Sequence, residues 1–262
     1  MPDYEFLRFE VEDRVAWVTM NRPEQLNAFN NEQYAAVRDA LKQTEEDPGI
    51  AVVVLTGEGR AFSAGQDLVE MQRMIDSGSE GYQFPSFLAQ LTSFKKPLIA
   101  AVNGVGVGIG MTMLSHCDLV LISSTAKLRT PFPQLGLAPE AGSSGLFPMR
   151  MGWQNAAYTL LSGKWMSAEE VHHAGYVWKV CPPEGLMDQA MATAEEIAAN
   201  PISSLIATKE LMLAGGRLAL AKESHAREIE AYKDLVGAPA NREAVAAFLG
   251  NRKPDFSKVP GA

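Results

Sequence analysis

Three short stretches carry residues that could do chemistry: "AFSAGQDL" (Ala61 to Leu68), "NGVGVGIGMTMLSHCD" (Asn103 to Asp118) and "LAPEAGSS" (Leu137 to Ser144). The first two each follow a strand-like run and lead into a helix-like one. At such a junction the first helical N–H groups have no intrahelical partner, and the helix dipole adds partial positive charge. Small residues beside them, Ala64 and Gly65 in one turn and Gly104, Gly106, Gly108 and Gly110 in the other, let a ligand approach the backbone. Two such turns could grip one oxyanion between the amides of Gln66 and Ile109. On spacing alone, the same glycines serve equally well to let a strand and a helix pack closely.

The glycine pattern excludes other chemistries. A dinucleotide fingerprint from Gly104 needs glycine at 109, which is Ile109, and one from Gly106 needs it at 111, which is Met111. A phosphate loop needs Gly-Lys-Ser/Thr after its glycines, and the chain offers "SGKW". "GSSG" at Gly142 to Gly145 misses the G-x-S-x-G nucleophile elbow. In the third stretch Glu140 has two readings of equal weight from sequence: a general base, or an acid placed favourably before a helix that starts near Ser143. Asp67 reads as a helix-start residue that holds its turn, and Glu70, one turn on, as a solvated acid that could reach a pocket. His116 lies on an apolar stretch and reads as core; His172, His173 and His225 read as surface residues. No histidine pair has metal-ligand spacing with a third ligand near it, so no metal is expected. Methionines 71, 74, 111, 113, 149 and 151 could line an apolar channel, but core packing explains most of them.

Positioning these stretches requires an α/β framework. Runs rich in β-branched residues, Val15 to Met20, Ile50 to Gly57, Pro97 to Val102, Asp118 to Ser123 and Tyr176 to Cys181, alternate with helical patterns. Tyr34, Val37 and Leu41 share one face of a predicted amphipathic helix. Ser167 with Glu170 forms a capping box, and Gly175 is the stop of that short helix. From Gly185 onward strands cease and three helices are expected, the second opening at Pro201 and closing at Gly215-Gly216. An α/β core over residues 1–195 and a helical region over 196–262 follow.

The totals set outer limits. A chain of 262 residues with 47% hydrophobic residues can bury a large core. A net charge of −8, spread over the chain with no acidic block, argues against nucleic acid and anionic membrane as partners. No apolar run reaches the roughly 18 residues of a membrane helix, and the first residues lack a signal-peptide pattern, so a cytoplasmic location is expected. Cys117 and Cys181 sit in strand-like runs and read as buried, reduced thiols.

Taken with "NRPEQLNAFN", "TPFPQLGLAPEAGSSGLFPMRMG", "LSGKWMSAEEVHHAGYVWKV" and "NRKPDF", in that order along nearly the whole chain, these segments resemble the enoyl-CoA hydratase/isomerase (crotonase) superfamily. The resemblance implies a spiral of β-β-α turns and a helical C-terminal region that builds a homotrimer, often a dimer of trimers. It implies an acyl-CoA thioester as substrate, with CoA a carrier rather than a bound cofactor. Carried over by motif position, the oxyanion donors are the amides of Gln66 and Ile109. Glu24, Leu26 and Ala28 border the adenine and pantetheine, Ala64, Gly65 and Asp67 border the thioester, and Ser63, Gly108, Thr112 and Phe132 complete the substrate contacts. Lys253, with Arg252 and Lys258, corresponds to the C-terminal region that meets the 3′-phosphate.

Here the chain departs from the hydratases. Thr112 and Phe132 stand at the two positions where hydratases carry glutamates, and neither can take a proton from water. Glu140 resembles the "PEG" glutamate of the peroxisomal Δ3,Δ2-enoyl-CoA isomerases, which takes a proton from C2 and returns it to C4. The expected activity is therefore Δ3,Δ2-enoyl-CoA isomerisation through an oxyanion-stabilised dienolate. The alternatives are a hydratase or other crotonase-type lyase with a non-standard base, Glu70 or Asp67, and a non-catalytic acyl-CoA-binding protein.

Overall fold

The computed structural model describes residues 4–78 and 80–259. β1 (Leu7–Glu12) and β2 (Val15–Met20) form an antiparallel hairpin, followed by α1 (Asn31–Glu46). β3 (Val52–Gly57) and β4 (Ala61–Ser63) lead to α2 (Leu68–Ser77) and α3 (Phe84–Ser93). β5 (Leu98–Val102) and β6 (Val105–Val107) lead to α4 (Ile109–Thr112), and β7 (Leu119–Ser123) and β8 (Lys127–Arg129) lead to α5 (Ser143–Ser162). Then come β9 (Met166–Ser167), α6 (Ala168–His173) and β10 (Lys179–Cys181). The helices α7 (Leu186–Ala198), α8 (Ile202–Met212), α9 (Leu218–Leu235) and α10 (Pro239–Leu249) finish the fold.

In each of three successive turns the first strand joins one sheet, ordered β1-β2-β3-β5-β7-β10, and the second joins another, ordered β4-β6-β8-β9. The chain thus winds as the expected β-β-α spiral. β3 is buried along its whole length, as a valine-rich central parallel strand should be. Alternate residues feed two layers. Val53 and Leu55 pack with Tyr34, Val37 and Leu41 of α1, while Val52 and Val54 pack with Leu186, Ala190 and Ala194 of α7. Asn30 caps α1 by accepting from the Gln33 N–H, and the Ser167–Glu170 capping box starts α6 as expected.

The structure differs from the sequence reading at several elements. The run from Tyr176 pairs only from Lys179, because the Tyr176 N–H closes the turn after α6 on Val171 O and the side chain is buried. Pro201 is the N-cap of α8 rather than its first residue. The chain passes Gly215-Gly216 through a π-type turn, Leu213–Arg217, and continues directly into α9, with the break confined to Gly216 at φ 111°. β1, the four short strands of the second sheet and α10 were not expected. Both cysteines are buried free thiols, and burial pushes Cys117 up to about 12. No helix of the described residues is long and apolar enough to cross a membrane.

Candidate active site

β4 and β6 run parallel as neighbours, so the turns that follow them lie side by side. Glycine makes that contact close. A Cβ on Gly65, at φ 93°, would stand 2.6 Å from Val107 O, and one on Gly110 would stand 2.5 Å from Ser63 O. Neighbouring amides are spent within the fold: Gly65 N–H on Ser63 Oγ (3.1 Å), Asp67 N–H on Phe29 O (2.9 Å) and Gly108 N–H on Arg129 O (3.0 Å). The N–H groups of Gln66 and Ile109 have no protein acceptor among the described residues. Both residues border one cavity of about 1160 Å³. The Ile109 side chain is itself buried in the core, so its amide, not its side chain, is free to act.

The acids beside this pair have settled roles. Asp67 caps α2 by accepting from Val69 N–H and Glu70 N–H, and pairs with Arg22 at 3.3 Å. Glu70, expected to be solvated, accepts the Asn31 N–H at the start of α1 at 3.0 Å. Neither is placed as a base.

Glu140 is different. Ala141 (φ 57°) and Gly142 (φ 73°) are consecutive left-handed residues between it and α5, an expensive geometry for alanine. Glu140 borders the cavity, its Oε1 accepts from Thr112 Oγ1 at 2.5 Å, and its buried Oε2 has no hydrogen-bond partner among the described residues. Burial raises its carboxyl to about 8, with the like charge of Glu228 adding to the shift and the Thr112 hydrogen bond opposing it. The helix-start reading of Glu140 is corrected, because α5 is capped from elsewhere. Glu228 of α9 accepts from Gly142 N–H (2.6 Å) and Ser144 N–H (2.8 Å).

The cavity is bordered by Glu24, Leu26, Ala28, Ala64, Gly65 and Asp67, and by Gly108 and Phe132. Three expected contacts do not reach it. Ser63 is buried behind the first turn, donating to Asn27 O at 2.8 Å, and Thr112 is buried behind Glu140. Lys253 is exposed and outside the cavity of this chain, its neighbour Arg252 pairs with Glu243, and the Lys258 side chain lies outside the described residues. Met71 and Met74 border the cavity, Met111, Met113 and Met151 are core, and Met149 is exposed. His116 is core as expected, its Nε2 on Ala141 O at 2.8 Å, with burial depressing it to about 3. His225, expected on an exposed helix, is half-buried and borders the cavity beside Glu228.

Sequence reasoning missed Tyr82, Tyr232, Arg129 and Glu228 in this cavity and took Tyr34 for core alone. Tyr232 and Glu228 lie one turn apart on α9, a 3.6-residue stripe that could have marked an inward face.

Residues 10–259 match the family model described as enoyl-CoA hydratase/isomerase. The chain is 36% identical over 260 residues to a 1,2-epoxyphenylacetyl-CoA isomerase of Escherichia coli strain K12, covering 97% of this chain and 98% of that one. It is 33% identical to a probable enoyl-CoA hydratase of Rhizobium meliloti strain 1021, covering 97% and 98%. A solved enoyl-CoA hydratase/isomerase of Pseudoalteromonas atlantica T6c superposes with a TM-score of 0.90 at 34% identity, covering 96% of this chain and 100% of that one.

Proposed function

The chain belongs to the enoyl-CoA hydratase/isomerase family, and from that premise we propose that it moves the double bond of a 3-enoyl-CoA to position 2, with Glu140 as the only base. The observation that carries this reading is the buried Glu140 Oε2 in the cavity, without a partner among the described residues, where the bordering carboxylates Asp67 and Glu228 are spent on backbone amides and Glu24 is solvent-exposed. The thioester oxygen sits between the N–H groups of Gln66 and Ile109. Ionised Glu140 takes a proton from C2, and the C–H electron pair passes into the dienolate, leaving negative charge on that oxygen. Protonated Glu140 then delivers the same proton to C4, and the electrons return to form the C2=C3 bond. One carboxyl suffices because the intermediate is held by the two amides, each donor of this kind being worth about 3 kcal/mol.

Hydration is disfavoured by the same residues. Thr112 and Phe132 supply no base, Thr112 is turned onto Glu140, and buried Phe132 forms an apolar wall that keeps water out. An isomerase among the relatives supports an isomerase reading, although that relative acts on 1,2-epoxyphenylacetyl-CoA. The trimer belongs to the same proposal: Trp153, Leu161, Leu211 and Phe248 are all more than 60% exposed in the single chain and would be covered by neighbouring copies.

The test supplies trans-3-hexenoyl-CoA and crotonyl-CoA separately to wild type and Glu140→Gln. Conversion of the 3-enoyl thioester that falls on the order of 10²-fold or more in the variant supports the assignment. Hydration of crotonyl-CoA that survives the substitution would overturn it, and acyl-CoA binding with neither reaction would establish a non-catalytic protein.

A further inference from the structure

Gln66 is held by more than its backbone neighbours. Tyr34 of α1 and Tyr82 of the loop after α2 both donate their hydroxyls to Gln66 Oε1, at 2.9 and 2.8 Å. Two donors occupy both lone pairs of one carboxamide oxygen. The two rings meet edge to face at 5.8 Å and 88°, and Phe84 packs against both. Burial raises both phenols above their ordinary value, with each phenol also influencing the other, so both remain protonated donors.

The loop that carries Tyr82 is anchored in turn. Asn31 Nδ2 donates to Gly81 O at 3.0 Å, and Gln83 N–H donates to Asn31 Oδ1 at 2.7 Å. The backbone of the turn they brace is held from one side by Phe29, whose N–H donates to Gly65 O at 2.7 Å and whose carbonyl accepts from Asp67 N–H at 2.9 Å, and the tyrosines add a hold on the Gln66 side chain. Ala64 and Gly65 carry no polar side chain that could fix the turn, and glycine is the most permissive residue for backbone rotation. A backbone N–H and a side chain share one Cα, so pinning the side chain at its far end restricts where the N–H can point.

We propose that Tyr34 and Tyr82 are positioning residues for the oxyanion site, acting through Gln66: their hydroxyls clamp its carboxamide and thereby keep its backbone N–H aimed at the thioester oxygen. This rests on Gln66 and Ile109 being the oxyanion donors. Removing a whole donor costs on the order of 10²–10³ in kcat. A donor loosened rather than lost costs a part of that, about 10-fold when both hydroxyls are gone.

The experiment reads the carbonyl directly. Hexanoyl-CoA labelled with ¹³C at the thioester carbonyl, which has no double bond to move, is bound to wild type, Tyr34→Phe, Tyr82→Phe and the double variant, and its C=O stretch is followed by isotope-edited infrared spectroscopy. Each is repeated in a Gln66→Ala background, which keeps the amide and removes the clamp's target. Phenylalanine keeps the ring packing, and thermal melting of each variant checks the fold.

The expected result is a stretch lowered on binding to wild type, with a smaller shift in each single variant and the smallest in the double. In the Gln66→Ala background the tyrosine substitutions should add nothing. Turnover of 3-hexenoyl-CoA should lose kcat with KM nearly unchanged. An unchanged shift in the double variant, or an equal loss in the Gln66→Ala background, would show that the hydroxyls do not act through Gln66 and would overturn the clamp while leaving the oxyanion site standing. No shift in wild type would remove the oxyanion site itself, and the clamp with it.

Discussion

As the proposed base, Glu140 sets a pH dependence. A carboxyl raised to about 8 by burial is a stronger base than a solvated one, but below that pH only a minority of molecules carry the ionised form. The value of kcat/KM for a 3-enoyl-CoA is therefore expected to rise with pH through a midpoint near 8, falling about tenfold per unit on the acid side. A flat profile between pH 5 and 8 would exclude Glu140 as the base. The same shift enters stability with a definite sign. Its folded value lies above the ordinary 4.5, so between those two pH values the folded protein holds a proton that the unfolded chain has lost. Stability is full below the ordinary value and declines as pH rises toward 8. Glu140→Gln removes that loss, so its melting temperature should exceed wild type at pH 8 and converge with it near pH 4.5. An equal gap at both pH values would contradict the buried, protonated state.

The elements show why the acid points where it does. α5 begins with amides that need an acceptor, and Glu228 of α9 supplies it from 84 to 86 residues away, which frees Glu140 for the cavity. Burial works against ionisation of Glu228, but the nearby His225, at 3.9 Å, and the hydrogen bonds from Ser144 and Gly142 outweigh it and hold the carboxyl below its ordinary value. Glu228→Gln replaces one acceptor oxygen by an amide that cannot accept, and should destabilise by about 1–3 kcal/mol in denaturant unfolding at pH 7. Because the wild-type contribution is present above the ordinary carboxylate range and lost as pH falls, the deficit should shrink in acid. A deficit independent of pH would mean that the charge of Glu228 does not hold the helix.

At the scale of the whole molecule, the helical C-terminal region is tied to the sheet by one half-buried acid. Asp118, at the entrance to β7, accepts from Lys209 Nζ of α8 at 2.7 Å and from the Leu98 N–H at 2.8 Å, and pairs with Arg217 at 3.4 Å. Lys209 also donates to Lys96 O at 2.7 Å, so its ammonium is fully embedded in the joint. Asp118→Ala leaves that cation without its counter-charge and should cost about 3–5 kcal/mol, measured by denaturant unfolding. A loss under 1 kcal/mol would show that α8 and α9 are held by apolar contact alone.

Much of this protein was legible without coordinates, and the parts that were not share a cause. Local patterns determined the long strands, the amphipathic α1 and the capped α6, because hydrophobic period and cap chemistry act within a few residues. The glycine spacing of the two turns and Glu140 itself were also readable, since a free amide beside small residues and an acid before a helix are local facts. Only the tertiary structure decided that the Glu140 side chain does not cap α5, because that role was taken by Glu228 from the far end of the chain. The short strands of the second sheet were invisible for the same reason: two or three residues carry no period, and pairing with distant strands makes them strands. The tyrosines that grip Gln66 come from α1 and from beyond α2, so no window of sequence holds all three. Local sequence determines what can form a turn, a helix or a free amide, while the long-range folding of the chain selects which polar groups remain unpaired in the cavity and so stay available for chemistry.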